Sequence, residues 1–545
     1  MSLSISDIRR SIALAPYASA SWSDLAVLSQ HREPPSRRYS WLTRSLASQP
    51  KAIYALVNLG ALLLEEDQLT VGRHHFAQAL IQEPLLLDGI RGFAIALVRA
   101  EQFEFAKLWF DRLIALSPMS SAGFSERGVL QERRRYYVDA QVDFQKTLIL
   151  TPGATRHLFQ LASLLRLRRD TELATRWFIR LVSAFPFDAG SHLNFGLLLQ
   201  DAGRLSEAVE QYERASAADP SQAQGIYNAS LVLLSMGHFE SGWRRHQRRW
   251  LTKHFNDPRA GLASLSTSRI EYELGVSVGV VLVWAEQGIG DEIMFGTMLE
   301  EFGRLSGCGL LVQADRRLLP LLRRSLPQYE YVERGEVVSE DRYGSHIPMG
   351  SLGGLLRGSW ESFEGKSGAY LKTDARRTRR IREELQRGCS DRLVGVSWRS
   401  ANPDTGAQRS LSLEELVRGL WRPGVRLVNL QYGDVSEEIE QVRARLGVEV
   451  HCYEGVDNRE DMDGLASLLE ACDEVVTVGN ATAHLAGAIG KEASVLLPHV
   501  AGWRWMAEGS TTPWYSSLTL FRQDPSLSWR LPLESIRQRP VVHIR

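Results

Sequence analysis

The sequence predicts an α-solenoid followed by an α/β region of two doubly wound lobes, and three observations carry that expectation. Prolines recur every 34 residues through the first part of the chain, a polar stretch interrupts the pattern at 251–275, and β-branched runs alternate with helical patterns thereafter. At 545 residues the chain is too long for one hydrophobic core, so at least two domains are expected.

The repeat comes first. Pro16, Pro50, Pro84, Pro118, Pro152, Pro186 and Pro220 stand 34 residues apart without an insertion or deletion. Ten residues after each proline the side chain is small: Ala26, Gly60, Ala94, Gly128, Ala162, Gly196 and Ser230. A second small position follows, with Gly72, Ala106, Ala140, Ala174, Ala208 and Gly242. Small residues on both helices of a pair let the backbones approach. Phe76, Phe110, Phe144, Phe178 and Tyr212 then supply an aromatic filler in the middle units, while the end units carry Leu42 and His246. This period and pattern resemble a tetratricopeptide array, which buries its apolar faces between neighbours and offers a concave binding side. Asp24, Asn58, Gly92, Glu126, Gln160, Asn194 and Asn228 share one register on the helices expected to line that side. The carboxamides of Asn58, Asn194 and Asn228 can both donate and accept, which suits them to a peptide backbone.

Lys plus Arg and Asp plus Glu both number 64, so no global field favours nucleic acid or an anionic membrane. Cys308, Cys389, Cys452 and Cys472 have neither zinc nor disulfide spacing and fit a reducing cytoplasm. No apolar run approaches the roughly 20 residues that span a bilayer. The arginine run Arg244–Arg249 reads as a solvated helix face, as does Arg376–Arg380.

From Val276 the period changes. Val276–Trp284, Gly309–Gln313, Leu393–Ser397, Arg426–Leu430, Val448–Cys452, Glu474–Val478 and Ala493–Leu497 read as strands, with helical patterns such as Glu292–Leu305 between most of them. Three loops could carry chemistry. Gly288-Ile-Gly290-Asp291 lies at a strand-to-helix turn, where glycines admit a ligand and Asp291 can serve as a helix cap. Ser397-Trp-Arg399, followed by Arg409 and a capping box from Ser412 to Glu415, ends another strand, and its arginines suit a diphosphate. Asn480-Ala-Thr482-Ala-His484 opens an Ala- and Gly-rich helix whose first N–H groups would face an anion. Asp461-Met-Asp463 has the form of a metal-binding DxD but reads better as acidic residues at a helix start, so no metal is expected.

The stretches 285–295, 394–400, 428–434, 480–491, 496–505 and 512–523 together resemble GT-B glycosyltransferases. They are close to bacterial heptosyltransferases, and closer to tetratricopeptide proteins ending in such a domain, including flagellin-type protein glycosyltransferases. The arrangement is also similar to the O-GlcNAc transferase, whose repeats carry an asparagine ladder. The resemblance implies two Rossmann-like lobes, with Asp291 as general base and Gly288, Gly290, Ser397, Arg399, Arg409, Gln431, Asn480, Thr482 and His484 around the donor. Relatives often have Asp where this chain has Gly479, and the loop 401–408 departs from the pattern.

The expected division is a solenoid over 1–250, an N-terminal lobe over 251–375, and a nucleotide-sugar lobe with a terminal helix over 376–545. The expected activity is inverting, metal-independent transfer of a sugar from a nucleotide donor to a protein hydroxyl. The nucleotide sugar is a substrate, and no cofactor is expected. The repeats would recruit the acceptor, flagellin or another surface protein, through Asn58, Asn194 and Asn228. An inactive scaffold, or a transferase acting on a glycan or lipid precursor, are the alternatives.

Overall fold

A computed structural model describes residues 7–8, 11–12, 19–29, 32–252, 255, 279–388, 390–402 and 406–539. Pro16, Cys389, nearly all of the stretch 253–278 and residues 403–405 lie outside the described residues. Two compact units make up the chain, Met1–Phe187 and Asp188–Arg545.

The first unit is a run of paired helices, from Ser19–Leu28 and Pro35–Ser48 to Thr155–Leu167 and Thr171–Ala184. The 34-residue pattern explains how each pair closes. A β-carbon on Gly60 would lie 3.0 Å from the Phe76 ring, and one on Gly128 would lie 2.7 Å from that of Phe144. The aromatic of the second helix thus fills the space left by the small residue of the first. Phe76, Phe110, Phe144 and Phe178 are all buried.

In the six pairs from Ile53–Glu65 with Leu69–Gln82 onward, the turn inside the pair holds a left-handed residue: Asp67, Glu101, Arg135, Arg169, Gly203 and Gly237, at φ between 58° and 81°. Only the last two are glycines. A non-glycine residue there costs roughly 1 kcal/mol. Arg169→Gly is therefore expected to stabilise the chain by about 0.5–1 kcal/mol, read as a higher denaturant midpoint for the first unit.

The second unit begins with two more pairs, Ala189–Asp201 with Leu205–Ala218 and Ala223–Ser235 with Phe239–His246. Two parallel sheets follow. The first contains β1 (Val280–Trp284), β2 (Gly309–Ala314), β3 (Glu330–Glu333) and β4 (Ser345–Pro348), in the order β3-β2-β1-β4. The second contains β5 (Arg392–Ser397), β6 (Val425–Asn429), β7 (Val450–His451), β8 (Glu474–Val478), β9 (Ala493–Leu497) and β10 (Leu518–Arg522), in the order β10-β9-β8-β5-β6-β7. This is the doubly wound order, with its switch point between β5 and β8. The terminal helix Arg530–Arg537 packs Leu533 against Gly419 of the helix Leu413–Leu420.

Two expectations are corrected here. The helix over Glu292–Leu305 is two helices, Ile289–Gly296 and Leu299–Ser306. Tyr370 packs against Gly296 near the break and donates to the carbonyl of Ile293 at 2.8 Å. The run Arg244–Arg249 is not wholly solvated. Arg249 is fully buried, its guanidinium donating to Glu286 at 2.8 and 3.1 Å and to Ser351 Oγ at 2.9 Å. Trp243 from the same repeat lies 5.5 Å from Trp503 and 6.4 Å from Phe295, ring centre to ring centre. The last helix pair and both lobes share one continuous buried cluster.

Candidate active site between the lobes

The glycine loop of the first lobe meets the helix Ala481–Ala488 of the second. A β-carbon on Gly290 would lie 3.1 Å from His484 Cδ2, so this glycine permits close approach of the lobes. Gly288 is the helix cap, and the space where its side chain would be is open. Asp291 therefore sits in the first turn rather than at the cap. Its carboxylate accepts from Nε of Arg504, which belongs to the short helix Trp503–Trp505 after β9.

Arg504 is largely buried. Burial works against its charge, but the Asp291 carboxylate more than compensates and holds its pKa above the usual arginine value. Arg409 stands beside it. Burial, then repulsion by Arg504, lowers the Arg409 pKa, and Asp291 partly offsets both. The Arg409 guanidinium has no hydrogen-bond or ion-pair partner among the described residues, and Arg504 uses only Nε. Two converging arginines, only one of them paired, form a site short of negative charge.

The helix Ala481–Ala488 adds its N-terminus to that site. Asn480 caps it by accepting from Ala483 N at 3.3 Å, and the first-turn N–H groups have no intrahelical acceptor. Thr482 lies buried in this first turn. His484 pairs through Nδ1 with Tyr515 Oη at 3.1 Å and stacks on Trp505 at 4.7 Å between ring centres. Burial, then Arg504 and Arg409, push the His484 pKa down to about 3, so its imidazole is neutral at physiological pH. The small residues of this helix have a visible purpose: a β-carbon on Gly487 would lie 2.4 Å from the Tyr515 ring. One on Gly479 would lie 2.8 Å from Trp505 Nε1, so the indole uses the space of a side chain at 479.

Ser397, Gln431 and Asn480 come together at the switch point. Asn480 Nδ2 donates to Ser397 Oγ at 2.8 Å, and Ser397 donates to Gln431 Oε1 at 3.0 Å. The same Gln431 oxygen accepts from the backbone N–H groups of Trp398 and Arg399 at 3.0 and 2.9 Å. These side chains brace the loop after β5. Arg399 itself pairs with Glu438 at 2.9 Å and is half exposed. The carboxylates of the DxD sequence are engaged in ion pairs, Asp461 with Arg377 and Asp463 with Arg324. Of the repeat asparagines, Asn58 donates to Ser23, Asn194 to the carbonyl of Gly190, and Asn228 accepts from Gln224.

Arg504, Trp505 and Tyr515 carry no local motif that marks them as site residues beyond their place in the stretches 496–505 and 512–523. Tyr227, on the repeat helix Ala223–Ser235, had no such signal. Cys308, Cys452 and Cys472 are free thiols, and among the described residues no helix is long and apolar enough to cross a membrane.

No family model matches the chain. It is 30% identical over 341 residues to Protein FlbA of Caulobacter vibrioides, covering 59% of this chain and 56% of that protein. It is also 30% identical over 105 residues to the probable UDP-N-acetylglucosamine–peptide N-acetylglucosaminyltransferase SPINDLY of Petunia hybrida, covering 19% of this chain and 11% of that one. The chain thus spans about half the length of the first relative and far less of the second. Among solved structures it is similar to YrrB, a tetratricopeptide protein with an unusual peptide-binding site, at 17% identity, 35% of this chain, 98% of that chain and a TM-score of 0.30. The chain thus joins tetratricopeptide-like helix pairs with a 34-residue period to two parallel sheets, and it is similar in part to Protein FlbA and, over a shorter stretch, to a protein named as a probable peptide N-acetylglucosaminyltransferase.

Proposed function

We propose that the chain is an inverting, metal-independent glycosyltransferase of the GT-B type, moving a sugar from a nucleotide donor to a hydroxyl of a protein recruited by the repeats. One observation carries the reading: a carboxylate on one lobe faces an anion site on the other. The site combines a helix N-terminus with Arg409 and Arg504, groups that suit a diphosphate.

In the reaction the acceptor oxygen bonds to the anomeric carbon as the bond from that carbon to the phosphate oxygen breaks. The bonding pair leaves with the nucleotide diphosphate. Asp291 takes the hydroxyl proton. The charge growing on the leaving group meets the N–H groups at Ala481 and Thr482, the two guanidinium groups and the neutral imidazole of His484. A bound diphosphate competes with Asp291 for Arg504, which frees the carboxylate to act as base. The peptide transferase activity in the name of SPINDLY supports a protein acceptor.

The test is calorimetry of the full chain with a panel of nucleotide sugars. Replacing Arg409 and Arg504 together by Gln removes two charge-assisted contacts, so binding of whichever nucleotide sugar the parent takes should weaken by about 100-fold or more. Unchanged affinity in the double variant, or no binding by the parent across the panel, contradicts the reading.

A further inference from the structure

The final repeat reaches the proposed site. Its helix Ala223–Ser235 packs against Trp503–Trp505, the segment that bears Arg504, and Ala507 N donates to the carbonyl of Ser235 at 2.7 Å. Tyr227 projects from this helix. Its ring lies 5.7 Å from that of His246 and 5.6 Å from that of Phe255, and His246 in turn lies 6.3 Å from Trp503. The phenol is near enough to Asp291, Arg504, Arg249 and Glu286 to feel the charge of each. Burial is the main cause that pushes its pKa up to about 12, so the group is an O–H donor at physiological pH. That hydroxyl has no hydrogen-bond partner among the described residues, and the residue is only partly buried.

Its neighbours point to the occupant. Asn228 accepts from Gln224 through Oδ1 and keeps its Nδ2 hydrogens, while Asn194 donates through Nδ2 to Gly190 and keeps its Oδ1. An amide donor on one repeat and an amide acceptor on the next suit the C=O and N–H groups of a polypeptide backbone. Tyr227 directly precedes Asn228 in the same helix.

We propose that Tyr227 is an acceptor-contacting residue whose phenol donates to a backbone carbonyl of the acceptor polypeptide, seating the attacking hydroxyl beside Asp291. The proposal rests on the glycosyltransferase reading and adds the last repeat to the acceptor side of the site.

The experiment uses the full chain, a panel of radiolabelled nucleotide sugars, and total protein from cells lacking this chain as acceptor. Two rates are measured for each variant: label entering protein, and the same donor hydrolysed without acceptor. Tyr227→Phe should lower incorporation about tenfold, the worth of one hydrogen bond of about 1.4 kcal/mol, and leave hydrolysis unchanged. Tyr227→Ala should lower incorporation further. Equal loss of both rates would place Tyr227 at the donor and overturn the proposal, as would full incorporation by Tyr227→Phe. A parent chain that neither hydrolyses nor transfers from any donor overturns the glycosyltransferase reading itself, and the role of Tyr227 falls with it.

Discussion

Asp291→Asn is expected to lower sugar transfer by roughly 100- to 10,000-fold while donor affinity stays within about twofold. The substitution keeps the shape of the side chain and an oxygen that can accept from Arg504, and it removes the basicity. A capping role cannot mimic this outcome, because Gly288 holds the cap position and Asp291 lies within the first turn, paired with Arg504. Removing the negative charge also releases Arg504 toward a diphosphate, so donor binding should not weaken. Single-turnover transfer and calorimetry on the same preparation separate the two effects. Retained turnover would assign proton transfer to another group and leave Asp291 as a partner of Arg504.

Arg249→Ala is expected to destabilise the second unit by about 3–5 kcal/mol, because it strands the Glu286 carboxylate in a dry environment. Both side chains are essentially inaccessible to water. Glu286→Ala should cost a similar amount by stranding the guanidinium. The pair replaced together by apolar residues, Arg249→Met with Glu286→Leu, should lose much less than the sum of the single changes. Denaturant midpoints of the four proteins test this. Small, additive losses would mean that the last repeat is not fixed to the lobe as the structure describes. The same contact predicts where the chain tolerates a cut. A break after Trp250 separates Trp243 and Arg249 from Trp503, Phe295 and Glu286, whereas a break after Phe187 falls between the two compact units.

The legible parts of the fold were those where one physical requirement repeats or dominates. Gly60 and Phe76, or Gly128 and Phe144, must be complementary in size for a helix pair to close, and that demand recurs every 34 residues. The left-handed turn residues escaped notice because Asp67, Glu101, Arg135 and Arg169 share a backbone conformation and no chemistry. β8 and β9 are buried on both faces and announce themselves as apolar runs. β3 (EYVE) and β4 (SHIP) are short edge strands with polar residues, and no hydrophobic run marks them.

The site divides in the same way. Asp291, Thr482 and His484 lie at glycine- or asparagine-led turns after strands, a position that local sequence discloses. Arg504 meets Asp291 across 213 residues, and Tyr227 arrives from a different structural class, so no local pattern joins them. Ser397, Gln431 and Asn480 lie in three separate stretches of the sequence, and only the hydrogen bonds among them show that they meet and hold the β5 loop in shape.

The most direct measurement is the intact mass of cellular proteins in cells that carry the parent chain, compared with cells that carry Asp291→Asn at equal abundance. The account predicts that at least one protein bears added mass in units of a single sugar with the parent, and that it loses every such unit with the variant. Identical masses in the two cells would contradict the claim that this chain transfers a sugar to protein through Asp291.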